Sequence, residues 1–270
     1  MANELDEELS YIRNALGRKK AEISSARLAT ALMKSFKLGY NGNHSTYGPG
    51  GLRLHRARLA HESAAYDKVS ELWYPPKEHT KQNRANLPGE TIFYCANGDA
   101  TSILELRPKA GDVISMMTCT LSKDPLKVKL IYPTEFFIKY GLAEQYIPFE
   151  TLCYEVFRRT CHTPFDYIIS GGLGSLFFQF TAIDGLVYPS IASELKGVNL
   201  ALRAAVVDEY LTPISFRAYR VVELRSPFDM IVQCVATAPA SEKDGDINWT
   251  EVSCGGHHVT EHVFERPCSE

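Results

Sequence analysis

The chain has 270 residues and 45% hydrophobic side chains, enough to bury a core and to form one domain with additions or two small ones. Its 29 basic and 32 acidic side chains give a net charge of -3, so no basic excess predicts nucleic-acid binding. We find no apolar run of about 18 residues and no basic-then-apolar start, so neither a membrane span nor a signal peptide is expected. The seven irregularly spaced cysteines form no CxxC pair, which indicates reduced, partly buried thiols in a cytoplasmic protein.

The first part of the chain is predicted to be helical. Apolar residues at helical spacing cover residues 4–37, and Gly17 divides this segment into two helices. The glycine-rich stretch 41–51 predicts a loop, and we place a domain boundary there.

The rest of the chain mixes strands and helices. Strands are predicted over residues 91–96, 113–121, 126–132, 186–188, 216–224 and 230–236. Helices are predicted over residues 134–140, 149–159 and 174–183, and a polar turn over residues 240–246. Because these elements lack regular βαβ spacing, the predicted class is α+β rather than a doubly wound sheet.

Four arginines are candidates for binding an anion. Arg53, Arg56 and Arg58 lie on one predicted strand or turn, and Arg84 follows a polar loop. A guanidinium binds phosphate through two hydrogen bonds, so two arginines facing one cleft would hold a pyrophosphate. A solvated surface ion pair is the alternative for each of them, and residue type alone does not select Arg56 or Arg84.

Tyr94 and Glu105 are candidates for contact with the ring and the sugar of a substrate. Tyr94 ends a predicted strand, and its ring can stack on a nicotinamide or adenine face, with an ordinary core tyrosine as the alternative. Glu105 follows an apolar run, where a carboxylate needs a partner or a task. It can stabilise the positive charge that glycosidic cleavage creates on the sugar, or position water. The alternative is an exposed glutamate at a helix end, paired with Arg107.

Ser190 ends the stretch Asp184-Gly-Leu-Val-Tyr-Pro-Ser190, in which the proline favours an extended turn. A serine here can hydrogen-bond a ligand hydroxyl, hold the glutamate, or cap the next segment. We find no Ser-His-Asp spacing that would make it a nucleophile.

Three other patterns are interpreted as structural. Residues 254–262 resemble a zinc cluster but lack a second group of ligands, so no metal is predicted. The glycines of residues 170–175 lack the phosphate-loop patterns and predict a flexible helix start. The basic run at residues 17–20 predicts a solvated helix junction.

Taken in order, these motifs resemble the RES domain family, which is named for a spaced Arg, Glu and Ser. The similarity covers roughly residues 52–212. It comprises Arg56 in a short apolar strand, Arg84-Ala-Asn86 with Pro88-Gly89, Tyr94 before Glu105, the run Leu106-Arg-Pro-Lys-Ala-Gly-Asp112, the Asp184 to Ser190 stretch, and Gly197-Val-Asn199-Leu.

The resemblance implies a split mixed β-sheet similar to that of ADP-ribosyltransferases, with flanking helices and a cleft for NAD, while the N-terminal helical extension lies outside the similarity. It also implies a toxin that cleaves the nicotinamide–ribose bond of NAD by hydrolysis or phosphorolysis. NAD would be a substrate, inorganic phosphate a candidate co-substrate, and no cofactor is expected. The partners implied are an antitoxin and a second copy of the chain. The implied catalytic residues are Glu105, Arg56 and Arg84, and the implied substrate-binding residues are Tyr94, Ser190 and Asn199.

Several alternatives stay open. Some family members carry a tyrosine directly after the first arginine, where this chain has Ala57, and Arg53 or Arg58 could take the role of Arg56. A protein ADP-ribosyltransferase and a non-catalytic NAD-binding or regulatory module are the competing functions. The expected organisation is an N-terminal helical extension at residues 1–50, a catalytic domain at residues 51–212 and a β-rich segment packed on the core at residues 213–270.

Overall fold

The structure is a computed structural model. It describes residues 2–16, 18, 22–42, 44–47, 52–60, 65–122, 125–161, 164–252 and 254–260. The helices in this part of the chain are α1 (Ala2–Ala15), α2 (Ser25–Gly39), α3 (Val69–Leu72), α4 (Asp99–Glu105), α5 (Thr134–Lys139), α6 (Ile147–Phe157), α7 (Ile168–Phe180) and α8 (Ala204–Tyr210). The strands are β1 (Ser45–Tyr47), β2 (Arg53–Leu59), β3 (Ile92–Ala96), β4 (Val113–Leu121), β5 (Leu126–Leu130), β6 (Gly185–Pro189), β7 (Val198–Arg203), β8 (Leu211–Ser226), β9 (Asp229–Pro239), β10 (Thr250–Glu251) and β11 (Gly256–Thr260).

These helices and strands confirm the predicted α+β class, and the strands pair in both directions. The chain divides into two compact units, which are described separately below. Unit 1 consists of Met1–Thr46, Pro76–Ile92 and Lys127–Tyr188, and unit 2 consists of Tyr47–Pro75, Phe93–Leu126 and Pro189–Glu270. The predicted domain boundaries after residues 50 and 212, and the likeness to ADP-ribosyltransferases, stay predictions.

Unit 1 is mainly helical. The two predicted N-terminal helices are confirmed as α1 and α2, while Gly17 lies outside the described residues. The Ser24 hydroxyl caps α2 by accepting a hydrogen bond from the Arg27 amide at 3.3 Å. Phe36 of α2 packs edge-on against Phe177 of α7, with ring centroids 5.3 Å apart. The strands of this unit follow the order β1, β5, β6, and β5 and β6 are parallel.

Unit 2 is mainly sheet. Its strands follow the order β7, β3, β2, β4, β8, β9, and both β10 and β11 pair with β9. The register places His55 of β2 opposite Thr118 of β4, and β4 pairs in turn with β8. A hydrophobic core on this sheet joins Ile103 and Leu104 of α4 to strand residues such as Tyr219. This core fixes α4 on the sheet, because burying large apolar side chains is the main favourable term in folding.

The structure corrects three predicted elements. The predicted loop at residues 41–51 contains the short strand β1, and β8 begins at Leu211 rather than Phe216. Helix α7 begins at Ile168 rather than Gly174, so the glycines predicted to start a helix lie inside one. The apolar residues of α7 are largely buried, and this burial outweighs the low helix propensity of glycine.

None of the described helices has both the length and the apolar character needed to cross a membrane.

Candidate active site

Glu105 is the last residue of α4, and its position follows from the packing of that helix. Ile103 and Leu104 are fully buried in the core of unit 2. Glu105 follows them at the exposed end of the helix. The apolar run that the sequence places before this carboxylate therefore anchors the helix and presents the carboxylate to solvent.

Two buried side chains hold the Glu105 carboxylate. The Ser190 hydroxyl and the Asn199 Nδ2 group each donate a hydrogen bond of 2.6 Å to Oε1. Ser190 is 0% exposed and Asn199 is 8% exposed, so both donors are buried. Both bonds end on Oε1, and within the part of the chain that the structure describes they leave Oε2 to the solvent side. The structure thus joins three predicted site residues in one contact network.

Ser190 is fixed by a tight turn, residues 190–197, which we call the 190–197 turn. The Ser190 amide donates to the Gly197 carbonyl at 2.8 Å, and the Leu195 amide donates to the Ser190 carbonyl at 2.7 Å. The Ser193 amide donates to the Ser190 hydroxyl oxygen at 3.2 Å. Ala192 of the same turn packs in the core cluster that holds Ile103. The turn and α4 are therefore anchored in one core.

Gly197 permits the close approach of the 190–197 turn to α4. A Cβ atom at this position would lie 2.7 Å from Cγ2 of Thr101 and 2.6 Å from Oγ of Ser193, with Oγ1 of Thr101 closer still. Ser193 Oγ in turn accepts a hydrogen bond from the Gly197 amide at 2.7 Å. Sequence reasoning missed Thr101, Ser193 and Gly197 as supports of the site, although Gly197 stands in one of the quoted motifs.

Backbone strain is concentrated around this site. Glu194 and Leu195 of the 190–197 turn have φ values of 50° and 67°, and Arg107, two residues after Glu105, has φ of 48°. Each of these left-handed conformations costs about 1–3 kcal/mol for a residue other than glycine. Such strain persists where surrounding contacts impose it, and it is frequent at functional sites.

Arg56 lies on β2 as predicted and is tied to backbone carbonyls. Its Nε donates to Leu72 O at 2.8 Å, and its Nη1 donates to Tyr94 O at 2.7 Å. Its guanidinium also lies 5.2 Å from the centroid of the Phe93 ring. Burial, aided by the charge of Arg58, lowers the pKa of the Arg56 guanidinium to about 10, so the group stays cationic at neutral pH.

The other residues near Arg56 occupy distinct positions. Tyr94 is half-buried within β3, rather than at its end, and its carbonyl receives the Arg56 hydrogen bond. Arg53 is exposed at the start of β2. Arg58 donates to the Glu71 carbonyl and lies 5.0 Å from the Tyr66 ring centroid. Of the three arginines on β2, Arg56 is the one bound to the tyrosine predicted for the site.

Arg84 lies in unit 1, within a turn that ends at Asn86. Its Nη1 donates to Phe157 O at 2.7 Å and to Arg159 O at 3.0 Å, at the C-terminal end of α6. A cation at this end also interacts favourably with the helix dipole. The guanidinium lies 5.4 Å from the Tyr167 ring centroid. Arg84 is therefore held by one helix end and one aromatic ring.

Two glycines of α7 hold the turn that carries Arg84. A Cβ atom on Gly171 would lie 2.7 Å from Asn86 O, and one on Gly174 would lie 2.6 Å from the carbonyl carbon of Ala85. The backbone of the turn therefore rests directly on the glycine face of α7. The sequence shows these glycines but not this use of them, because the contact joins segments far apart in the chain.

The remaining chemical candidates do not form a metal site in the described residues. No group of three or more His, Cys, Asp or Glu side chains there is placed to hold a metal ion. His258 Nε2 lies 2.5 Å from Asp229 Oδ1, while Glu261 and His262 of the zinc-like pattern lie outside the described residues. None of the six cysteines that the structure describes forms a disulfide, and five of them are buried.

Comparison with known proteins gives one family. The family model named RES domain matches residues 53–222, which is more than half of the chain. The matched range contains all six predicted site residues: Arg56, Arg84, Tyr94, Glu105, Ser190 and Asn199. A search of curated proteins gives no match.

Proposed function

Because the chain belongs to the RES domain family, we propose that it is an enzyme that cleaves the nicotinamide–ribose bond of NAD, with Glu105 as its catalytic carboxylate. The single observation that carries this proposal is the pair of hydrogen bonds that holds Glu105, which we call the clamp. Ser190 and Asn199 hold Oε1 at 2.6 Å each, and these bonds leave Oε2 available on the exposed side. A carboxylate with one fixed and one available oxygen is suited to act on a substrate.

The reaction breaks the bond between C1′ of the ribose and the ring nitrogen of nicotinamide. The bonding electron pair stays on that nitrogen and neutralises its positive charge, while positive charge develops on the ribose. Oε2 of Glu105 stabilises this charge. An oxygen of water or of inorganic phosphate then bonds to C1′, and where water attacks, its proton passes to Oε2 and on to solvent.

Arg56 and Arg84, the two arginines predicted for the site, are held by different parts of the structure. Arg56 uses Nε and Nη1 for backbone carbonyls, and those bonds leave Nη2 for a phosphate or ribose oxygen. Arg84 uses Nη1 for the end of α6, and we assign it to the phosphates of NAD because it lies in the matched family range. A guanidinium fixed in this way loses little entropy on binding, so both side chains are suited to orient NAD. We assign Tyr94 to stacking against the nicotinamide ring.

The acceptor is tested by product analysis. The purified full chain is incubated with NAD, with and without inorganic phosphate, and the products are separated by chromatography. Free nicotinamide with ADP-ribose indicates hydrolysis, and a phosphorylated ADP-ribose formed only with phosphate indicates phosphorolysis. Nicotinamide release that requires an added acceptor protein indicates a protein ADP-ribosyltransferase. NAD binding without any release refutes the catalytic proposal.

The role of Glu105 is tested by Glu105→Gln. This change removes the charge and little volume, so we expect the fold and NAD binding to persist while kcat falls about 100- to 1000-fold. Glu209→Gln, on the exposed surface of α8, is the matched control and should leave kcat unchanged. Wild-type turnover in Glu105→Gln would refute the assignment.

A toxin role with an antitoxin partner extends the proposal. The support is membership in the RES domain family, which is associated with toxin–antitoxin pairs. Expression of the chain in a bacterial host should lower cellular NAD and stop growth, and Glu105→Gln should do neither. Growth arrest by both proteins to the same extent would contradict an NAD-based toxicity.

A further inference from the structure

A pocket of about 450 Å³ in unit 1 is lined by none of the residues assigned above to NAD cleavage. It lies where the C-terminal ends of α2 and α7 meet the start of β5 and the segment before β1. Its volume falls within the range of about 300–1,000 Å³ that is typical of small-molecule sites. The chemistry of its lining therefore indicates what kind of ligand it takes.

The charged side chains that line the pocket in the described residues are basic, and no carboxylate is among them. Lys37 of α2 and Lys127 of β5 are both exposed, and His44 adds an imidazole. Within the described chain neither of these ammoniums forms an ion pair, whereas Lys129, on the same strand as Lys127, is buried and paired with Glu150. Two unpaired lysines that meet at a concave surface from separate elements attract an anion to it.

The ends of the two helices reduce this positive charge but do not cancel it. The C-terminus of an α-helix carries about half a negative charge, and both α2 and α7 end at the pocket. The two ammoniums supply two full positive charges, so about one positive charge remains. The pocket therefore favours an anion over a neutral or cationic ligand.

The rest of the lining offers an accessible aromatic ring. Phe180, the last residue of α7, is 56% exposed, and its ring centroid lies 6.3 Å from that of Phe36 in a tilted contact. No second ring contacts Phe180 in the part of the chain that the structure describes, so the ring can still be covered by a ligand. An aromatic ring of this kind gains from stacking against another planar ring.

We propose that this pocket binds a planar aromatic compound that carries a phosphate group, such as a nucleoside monophosphate. The ring of the ligand stacks on Phe180, and the phosphate accepts hydrogen bonds from the ammoniums of Lys37 and Lys127. A phosphate monoester is close to a dianion at neutral pH and has three acceptor oxygens, so it can bind both ammoniums at once. These residues differ from those assigned to NAD cleavage, and the proposal stands or falls independently of that activity.

UMP and uridine form a matched pair of probes, since they share the ring and the ribose and differ only in the phosphate. We expect UMP to bind the full chain in isothermal titration calorimetry, and uridine to bind about 10-fold more weakly or worse. Inorganic phosphate should also bind more weakly than UMP, because it has no ring to stack. Equal affinity for UMP and either of the other two compounds, or no binding of millimolar UMP, would overturn the proposal.

Protein variants locate the binding. Lys127→Met removes the charge but keeps the length of the side chain, and Phe180→Ala removes the ring. Both side chains are exposed, so both variants should fold, and each should weaken UMP binding about fivefold or more. Lys139→Met is the matched control, because it removes the same charge from an exposed position on α5 outside the pocket, and it should bind UMP as the wild type does.

Arg84→Ala separates this pocket from the proposed NAD site, and it should also bind UMP as the wild type does. Unchanged UMP affinity in Lys127→Met or in Phe180→Ala refutes the proposed site. So does an equal loss in Lys139→Met, which would indicate binding to the overall charge of the protein. A loss in Arg84→Ala without one in Lys127→Met would place UMP at the proposed NAD site instead.

Discussion

Gly197→Ala tests whether the close packing of the 190–197 turn on α4 positions the Glu105 carboxylate, which we propose to be catalytic. The added methyl group would lie 2.7 Å from Thr101 Cγ2 and 2.6 Å from Ser193 Oγ, whereas ordinary contacts begin at about 3.4 Å. The turn or α4 must therefore shift by nearly an ångström. Ser190 lies on the turn and Glu105 on α4, so the shift disturbs the hydrogen bond between these two residues.

The size of the effect follows from that displacement. Overpacking a well-packed site costs about 1–3 kcal/mol of stability. A misplacement of about 1 Å in a catalytic group costs on the order of 100-fold in rate. We therefore expect kcat for nicotinamide release to fall about 100-fold, while KM for NAD changes much less, because the arginines proposed to orient the substrate are not touched.

The assay is steady-state nicotinamide release, with urea denaturation as the measure of folding. Gly98→Ala is the matched control, because its new methyl group would meet only Thr101 Oγ1 at an ordinary 3.7 Å. Adding Thr101→Ala to Gly197→Ala removes two of the three crowded atoms and should restore part of kcat. Normal kcat in Gly197→Ala, or no recovery in the double variant, would refute the positioning argument.

Two other outcomes concern α7 and the buried thiols. Gly174→Ala should cost about 1–3 kcal/mol and raise KM for NAD, because its methyl group meets the backbone of Ala85. The methyl group of Gly172→Ala, the control, would meet only the flexible Leu32 side chain, so this variant should be tolerated. Equal urea midpoints for Gly174→Ala and Gly172→Ala would contradict the close packing of Gly174 on Ala85. Burial raises the pKa of Cys119 from 9.0 to about 12. Stability present below pH 9 should therefore fall as the pH rises towards 12, by up to about 1.4 kcal/mol per pH unit for this thiol. Urea denaturation across this range should show a smaller slope for Cys119→Ala, and an identical slope would contradict the shift.

The fold class and most elements could be predicted because they depend on local patterns. Helical spacing of apolar residues gave α1 and α2, and β-branched runs gave β4 and β5. Glu105, Ser190 and Asn199 could be selected only through the resemblance to a family, since each residue alone has an ordinary structural explanation. In the structure Ser190 and Asn199 both donate hydrogen bonds to Glu105, while the functional roles of the three residues stay predictions.

The supports of the site could not be predicted, because they depend on contacts between distant segments. The sequence predicts Gly174 at the start of a helix, yet it lies inside α7, where the backbone of Ala85 packs against it. The sequence does not show that Gly197 is needed for close packing, because its contact is with Thr101, which is distant in the chain. The buried pair of Lys129 and Glu150 is likewise invisible at a separation of 21 residues on different elements.

The clamp on Glu105 also decides how much charge the site retains. Ser190 and Asn199 are uncharged donors, so they aim the carboxylate without cancelling its negative charge. A lysine or arginine in either place would form an ion pair and weaken the attraction for the cationic sugar of the proposed reaction. The amide of Asn199 therefore orients the Glu105 carboxylate without neutralising it, whereas a charged donor at position 199 would do both.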